Sequence, residues 1–580
     1  MALSVGLDTA VKALRAHQLA VDVAAHNIAN AQSPGYSRQR VLLRPIGLEG
    51  AAWSSRDSLL GKPGFGVDAR DVNRIRDIFL DYQTRQATSS RGQHSAFATP
   101  LRNAEAVLND PSDEGLASLL AKFWGAWHDV ANEPESSAAR TALVHAAQTL
   151  TVRLQAAYSE IDLQRRNLNQ QVAALGEEIN TYAREIANLN LQIKQVELNG
   201  DRANDLRDRR DLLLDQLAQV ASIQYSEAAT GEVSIYLGSH ELVFGTTART
   251  IVTTQDPSDP TMVKLTWQID GFDVIANSGK LQGVLAARDQ ALPDLLRKLD
   301  TLAGGLISGV NTLHQSGFGL DGTTTGLPFF TGTDASSIAV NPTLIADPRK
   351  VAAASAPGAP GDGSRALAIA RLQQQPSMVT GLPNTDLVVG ETIRTGVTLA
   401  GLQVAPSLPP GQYTIVENPP ASGTLELRDA NNTVVGTATT APLSAPGGTI
   451  QFTSGTNILA TLTVTIATPP GTWTPADQVT DLTAATNDTF QIVHASPTDY
   501  YSNIVSVLGA DVNRAIGMEQ SASLLRDHLD TARQSAQGVN IDEEVTNLNA
   551  AQHAYNAAAR VITVIDDMLD TLINRTGVTR

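Results

Sequence analysis

Residues 538–577 read GVNIDEEVTNLNAAQHAYNAAARVITVIDDMLDTLINRTG, and one apolar stripe runs through them. Ile541, Val545, Leu548, Tyr555, Ala559, Ile562, Leu569 and Ile573 recur at steps of mostly three and four, the seam period of a coiled coil. Gln552 and Asp566 fill the two seam slots that apolar residues skip. Asn540 with Glu543 three residues on forms a capping-box pattern, and Asp542 and Glu544 suit the positive end of the helix dipole. Gly577 stands where a C-cap is expected. A helix so marked, with a single apolar stripe, needs a partner.

The other end of the chain offers one. In residues 1–31, Leu7, Val11, Leu14, Gln18, Val21, Ala25 and Ile28 keep strict four-three spacing. Each terminal stripe carries a glutamine in its seam, which costs stability and fixes register. The first helix stops at Ser33-Pro34-Gly35-Tyr36, where Pro34 presets one turn position and Gly35 tolerates positive φ at the next, predicting a type II turn. Burying one stripe offsets only part of the entropy lost in ordering such helices. The terminal segments therefore read as folding on assembly and disordered in a monomer, with a helix pair closing one domain in cis as the alternative. Heptads do not say whether the partner belongs to the same chain.

Between the termini the period changes twice. A helical stretch covers about 138–220, with Val172, Leu175, Ile179, Tyr182, Ile186, Leu189, Ile193 and Val196 alternating three and four. Asn199-Gly200 interrupts it, so a helical hairpin or part of a bundle is expected. From Ser222 the period falls to two, and a small β unit is expected over about 222–282. Helices resume from about Gly283 to His314. Residues 376–496 differ in kind: they are rich in Thr, Pro and Gly, with two Arg, no Lys and eight acidic residues. Alternation in 412–416, 424–427, 449–452 and 462–466, separated by Asn431-Asn432 and Pro446-Gly447-Gly448, predicts an inserted β-sandwich or barrel. The expected class is a multi-domain α+β protein. Residues 1–50 with 538–580 form a terminal helical assembly core, 51–370 with 497–537 a helical body with the small β unit, and 371–496 a β-rich insert facing outward.

Composition excludes several functions. The chain of 580 residues has no cysteine, hence no disulfide, thiolate metal site or cysteine nucleophile. A net charge of −17 and a pI near 5.0 disfavour DNA and anionic membranes as partners. No run of eighteen apolar residues occurs, and the first residues lack the basic n-region of a secretory signal peptide. Enzyme motifs fare no better. Gly317-Phe318-Gly319-Leu320-Asp321-Gly322 matches a dinucleotide pattern but follows a helix, the wrong context. The ten histidines never form H-x-x-x-H, and His17 and His26 read as surface or interface residues. Phe123, Trp124 and Trp127 read as a core stripe. Asn431-Asn432-Thr433 and Asn487-Asp488-Thr489 fit a glycosylation pattern that is common by chance.

The ten residues Asn27-Ile28-Ala29-Asn30-Ala31-Gln32-Ser33-Pro34-Gly35-Tyr36 resemble the signature shared by bacterial flagellar rod, hook and hook-associated proteins. Their continuation, Ser37-Arg38-Gln39-Arg40-Val41, is similar to the hook-associated proteins at the junction of hook and filament. Val539–Glu544, Tyr555–Val561 and Met568–Leu572 resemble the same family, as do Phe123-Trp124, Ala203–Leu206, Arg209–Asp215 and the stretch from Gly279 to Gly322. His26 and Ser33 are mild departures, since Asn and Thr are common there. The resemblance covers roughly 1–370 and 497–580. It implies a structural, non-catalytic flagellar subunit that uses no cofactor or metal. It is exported unfolded through the flagellar type III apparatus and assembles outside the cell, a route that a cysteine-free chain suits. Its implied partners are copies of itself in a ring, hook protein, hook-associated protein 3, and an export chaperone at the C-terminal region. The alternatives are a hook or rod subunit, an adhesive role for the β insert, and, least, a hydrolase carried in the insert, whose one histidine, His494, and scattered carboxylates give it little to work with.

Overall fold

The computed structural model describes residues 2–46, 66–108, 110–198, 200–257, 259–374 and 496–571, together with strands and one turn between 378 and 495. In chain order it opens with α1 (Ala2–Asn30), β1 (Gln39–Pro45), β2 (Val67–Arg74), α2 (Ile78–Leu108), α3 (Leu116–Asn132), α4 (Ser137–Leu198) and α5 (Asn204–Val220). Short strands follow: β3 (Ile223–Glu227), β4 (Val233–Leu237), β5 (His240–Phe244), β6 (Thr247–Ala248), β7 (Ile251–Gln255) and β8 (Val263–Trp267). Next come α6 (Lys280–Ala286), a π turn, α7 (Leu292–Gln315), β9 (Phe330–Thr331), β10 (Ala339–Val340), α8 (Pro342–Ala346) and α9 (Ser364–Ala370). The strands of the insert are β11 (Met378–Pro383), β12 (Thr392–Arg394), β13 (Val397–Val404), β14 (Gly411–Glu417), β15 (Thr424–Asp429), β16 (Val434–Thr439), β17 (Gly447–Ser454), β18 (Asn457–Ile466) and β19 (Thr489–Ala495). Two long helices close the chain, α10 (Pro497–Gln537) and α11 (Ile541–Asp570). The fold is α+β.

The chain divides into two compact units, one of residues 1–100, 165–290 and 513–580, the other of 101–164 and 291–512. In the first, α4 buries Val172, Leu175, Ile179, Ile186, Leu189 and Ile193, the stripe that the three-four period marks. Asparagines on this helix hold the small β unit. Asn180 donates to Ile251 O and accepts from Ile251 N, both at 2.8 Å. Asn190 treats Val233 in the same way, at 2.8 and 3.1 Å. Each side-chain amide stands in for a neighbouring strand, so the backbone at the start of β4 and β7 is paired rather than left bare. Gly176 completes the fit: a Cβ there would lie 2.7 Å from a Leu265 methyl carbon. β3 to β6 form an antiparallel meander, and β7 pairs β8.

In the second unit Phe123, Trp124 and Trp127 of α3 are fully buried with Phe329, Phe330 and His314, as the core stripe predicts. The Phe123 and Trp124 rings lie 4.8 Å apart, and Trp127 and Phe329 5.1 Å. The nine strands of the insert pair as one antiparallel sheet in the order β11-β19-β14-β15-β16-β17-β18-β13-β12. The alternating segments of the sequence all fall on strands of this sheet. Among the described residues the strands form one sheet and no pairing joins its two ends, so they make a single open sheet rather than the sandwich or barrel the strand spacing allows. Gly447 and Gly448 extend β17 instead of turning, whereas Asn432 sits at φ 63° in the expected turn. Asn487-Asp488 and Gly577 lie outside the described residues.

Candidate assembly site

The two terminal helices pack on each other. Gly6 faces Ile565 and Asn27 faces Glu544, so α1 and α11 run antiparallel. The surface they share is rotated from the sequence stripes. On α1 the buried residues are Ala10, Ala16, Ala24 and Asn27. Leu7, Val11, Leu14, Val21 and Ile28 are half-buried, and Gln18 is exposed. Three of the buried positions precede the stripe by one residue, a turn of about 100° around the helix. On α11 Glu544, Ala558 and Ile565 are buried. Leu548, Tyr555, Ile562 and Leu569 are half-buried and lie on both the stripe and the shared surface. Ile541, Val545 and Gln552 are exposed, the first two at 47% and 41%. On α1 the physical reason is size: its alanines let the two helix backbones approach closely, while its larger aliphatic residues fall to the flank. Val561, Val564 and Met568 are also exposed, so the helix pair leaves much of its apolar surface uncovered.

The segment after α1 ties this pair to the rest of the unit. Asn30 closes the helix by donating to His26 O at 3.1 Å and accepting from the Ser33 hydroxyl at 3.2 Å. Tyr36 N donates to Ser33 O at 3.2 Å and Gly35 sits at φ +79°, which is the type II turn read from Pro34-Gly35. Pro34 is exposed. Asn540 caps α11, accepting from Asp542 N and Glu543 N at 3.0 and 3.3 Å. Glu543 does not turn back to complete a capping box. It takes a bidentate contact from Arg38 at 2.7 and 3.1 Å.

Around these turns lies a polar cluster. Asn27 uses its whole amide: it donates to Gln39 O at 2.8 Å and to Glu544 at 2.9 Å, and accepts from Tyr36 OH at 2.8 Å and Gln39 N at 2.9 Å. Arg38 Nε donates to the other Glu544 oxygen at 2.8 Å. Ser37 N donates to Asp208 at 2.9 Å, and its hydroxyl accepts from Arg76 at 3.2 Å. Arg74 then contacts Asp208 and Asp211, Arg76 contacts Asp81 and Asp211, and Arg85 contacts Asp211 and Asp215. Arg533 of α10 reaches Asp215 at 2.7 Å. Burial pushes the Tyr36 hydroxyl well above the ordinary phenol range, and Asp205, Asp208 and Glu544 add to the rise. Burial also raises the Asp208 carboxyl despite Arg74. At Asp211 burial acts in the same direction, but Arg76, Arg74 and Arg85 together hold the carboxyl well below the usual range.

The signature residues Asn27, Tyr36, Ser37 and Arg38 thus share one cluster with α5 and both C-terminal helices. Sequence reasoning did not single out Glu544 as a buried partner, nor the arginines 74, 76, 85 and 533. A signal was available: Asp205, Asp208, Asp211 and Asp215 recur at steps of three and four, one face of a helix. His26 lies 5.6 Å from the Tyr36 ring and 3.6 Å from Asp205. Among the described residues no three side chains are grouped to hold a metal ion, and no helix is long and apolar enough to cross a membrane.

Family comparisons follow the same anatomy. Residues 7–36 match the family described as flagella basal body rod protein, and residues 533–575 the C-terminal family of flagellar basal body rod FlgEFG proteins. Residues 101–330 match the helical domain of flagellar hook-associated protein FlgK. The class these matches define is a structural protein of the bacterial flagellum. Within it, the chain is homologous end to end with proteins named flagellar hook-associated protein 1. It is 28% identical to that of Bacillus subtilis over 99% of this chain and 98% of the relative. It is 25% identical to that of Escherichia coli over 98% and 99%. The solved flagellar hook junction protein FlgK from Burkholderia pseudomallei covers 78% of this chain and 100% of its own, at 19% identity and a TM-score of 0.48.

Proposed function

We propose that this chain is a structural, non-catalytic subunit of the junction between flagellar hook and filament. The observation that carries the reading is its end-to-end likeness to proteins named flagellar hook-associated protein 1. The helix pair α1–α11 is the assembly element. It packs in cis through alanines and offers Leu7, Val11, Leu14, Val21, Ile28, Ile541 and Val545 to neighbouring copies in a ring. Residues 1–50 with 538–580 are the inner core of that ring, 51–370 with 497–537 the body around it, and 371–496 the outer surface. Hook protein and hook-associated protein 3 are the neighbours along the axis. An export chaperone covers the apolar C-terminal region before the chain leaves through the type III apparatus, and the protein acts outside the cell. The rod-family matches at both termini favour a hook or rod subunit as a second reading, but the helical-domain match over 101–330 supports the junction.

Deleting the gene in a motile host tests both. Bare hooks, with flagellin lost to the medium, are expected for a junction subunit. Missing hooks move the protein to the rod or hook, and normal filaments overturn the reading.

A further inference from the structure

Asn27 and Glu544 are buried to 1% and 3% exposure in a helix surface otherwise built from alanine and larger apolar residues. We propose that this pair sets the axial register of α1 against α11. The contact is saturated. Both donors and both lone-pair sites of the Asn27 amide are used, and each Glu544 oxygen accepts, one from Asn27 at 2.9 Å and the other from Arg38 at 2.8 Å. Three heptads separate Gly6 from Asn27, and three separate Glu544 from Ile565. A Cβ on Gly6 would lie 3.4 Å from the Ile565 methyl carbon, so the two ends of the contact are in step.

Packing alone cannot fix that step. Ala13 and Ala20 on one helix and Ala551 and Ala558 on the other stand one heptad apart, and Leu548, Tyr555, Ile562 and Leu569 repeat large side chains at the same interval beside them. Along the contact line Gly6, Ala13 and Ala20 stand against Ile565, Ala558 and Ala551, and a slip of one heptad still leaves alanine against alanine at its centre. Its consequence falls on the polar pair. In one direction Asn27 meets Ala551, and in the other Glu544 meets Ala20. Either way a buried carboxylate and a buried amide lose their partner, and a buried charge left alone is strongly unfavourable. A single polar pair in an apolar helix interface is a known means of specifying register. The glutamines at 18 and 552, the polar residues of the two sequence stripes, are exposed and cannot do this.

The absence of cysteine makes the test direct, since any engineered pair is unique. In the full-length chain, Gly6→Cys with Ile565→Cys reports the observed register, and Ala13→Cys with Ile565→Cys reports a one-heptad slip. Disulfide trapping in the parent background is expected to favour the first pair at least tenfold. Glu544→Leu, which fills the space without the charge, is expected to keep far-UV helicity while the two yields come within about twofold. Glu544→Gln, which can still accept from Asn27, restores the preference. A relocated carboxylate, Glu544→Ala with Ala551→Glu, is expected to make the slipped pair dominant, and this variant decides the matter if Glu544→Leu loses helicity. Equal trapping of both pairs in the parent chain, or a preference for the first pair that survives both Glu544→Leu and the relocation, overturns the proposal. The assay reads the isolated chain, so its outcome is separate from that of the junction role.

Discussion

Arg74 and Asp211 lie 2.8 Å apart, joining the end of the short strand β2 to the middle of α5. Asp211 also meets Arg76 at 3.0 Å and Arg85 at 3.3 Å, so one buried carboxylate offsets three guanidinium groups. Removing it leaves those cations without their shared partner. Asp211→Asn is therefore expected to destabilise the first unit by about 3–5 kcal/mol, the range for breaking a buried pair from one side. Chemical denaturation of the full chain checks this. A change under about 1 kcal/mol would show that the arginines find other partners among Asp81, Asp208 and Asp215.

Gly35 holds φ +79°, and a Cβ there would approach Leu212 Cβ to 3.1 Å. Two costs add at this site: the left-handed conformation, which favours glycine, and a contact with a neighbour fixed on α5. Gly35→Ala is expected to cost about 1–3 kcal/mol. Pro34 is exposed, so Pro34→Ala should cost much less. Comparing the two melting temperatures tests the turn, and equal shifts would contradict it.

Local features of the chain were the most legible. The Pro34-Gly35 turn, the Asn540 cap, the α4 stripe and the Phe123–Trp127 core all follow from rules that act over a few residues. On α1 the period-seven pattern of large aliphatics lies one position from the face that packs in cis, because that face carries alanines. Hydrophobic periodicity marks a face that wants burial and does not say which partner covers it. The polar cluster was hidden for another reason. Arg74, Arg76, Asp81, Asp211 and Arg533 are scattered through the sequence, and only the chain path brings them together. Glu544 read as a helix-end acid because three acids in a row at an N-terminus look alike until one is seen to be buried.

His314 gives the second unit an acid limit. It is buried, donates from Nδ1 to Leu327 O at 2.7 Å, and accepts at Nε2 from Ala352 N at 2.9 Å. Burial lowers its pKa to about 4 from 6.5, with nearby Arg140 acting in the same direction against the Leu327 carbonyl. The neutral ring is thus the folded form, and the unfolded chain binds the proton first. Stability from this residue is complete above pH 6.5 and falls as the pH drops from there to about 4, by on the order of 3 kcal/mol. His314→Gln keeps the size and polarity without the titration. Its unfolding free energy is expected to vary less between pH 7 and 4.5 than that of the parent, and parallel curves for the two would remove His314 as the cause.

Val545 and Ile565 separate folding from assembly on the same helix. Ile565 is buried against α1, whereas Val545 is 41% exposed in the single chain. A charge at 565 must enter an apolar contact without a partner, so Ile565→Asp should loosen the helix pair itself, seen as lost helicity. A charge at 545 faces solvent in the monomer, and Val545→Asp should leave monomer stability within about 0.5 kcal/mol. It meets apolar surface only if a neighbouring copy covers that flank, so its expected effect is on incorporation into flagella. Leu548→Asp and Ile562→Asp lie on both surfaces and should fail in both assays. If cells carrying each of Val545→Asp, Leu548→Asp and Ile562→Asp assembled flagella at the parent level, the apolar flank would not be an intersubunit surface. If Val545→Asp alone assembled normally, the contact between copies would be confined to the residues shared with the cis pair.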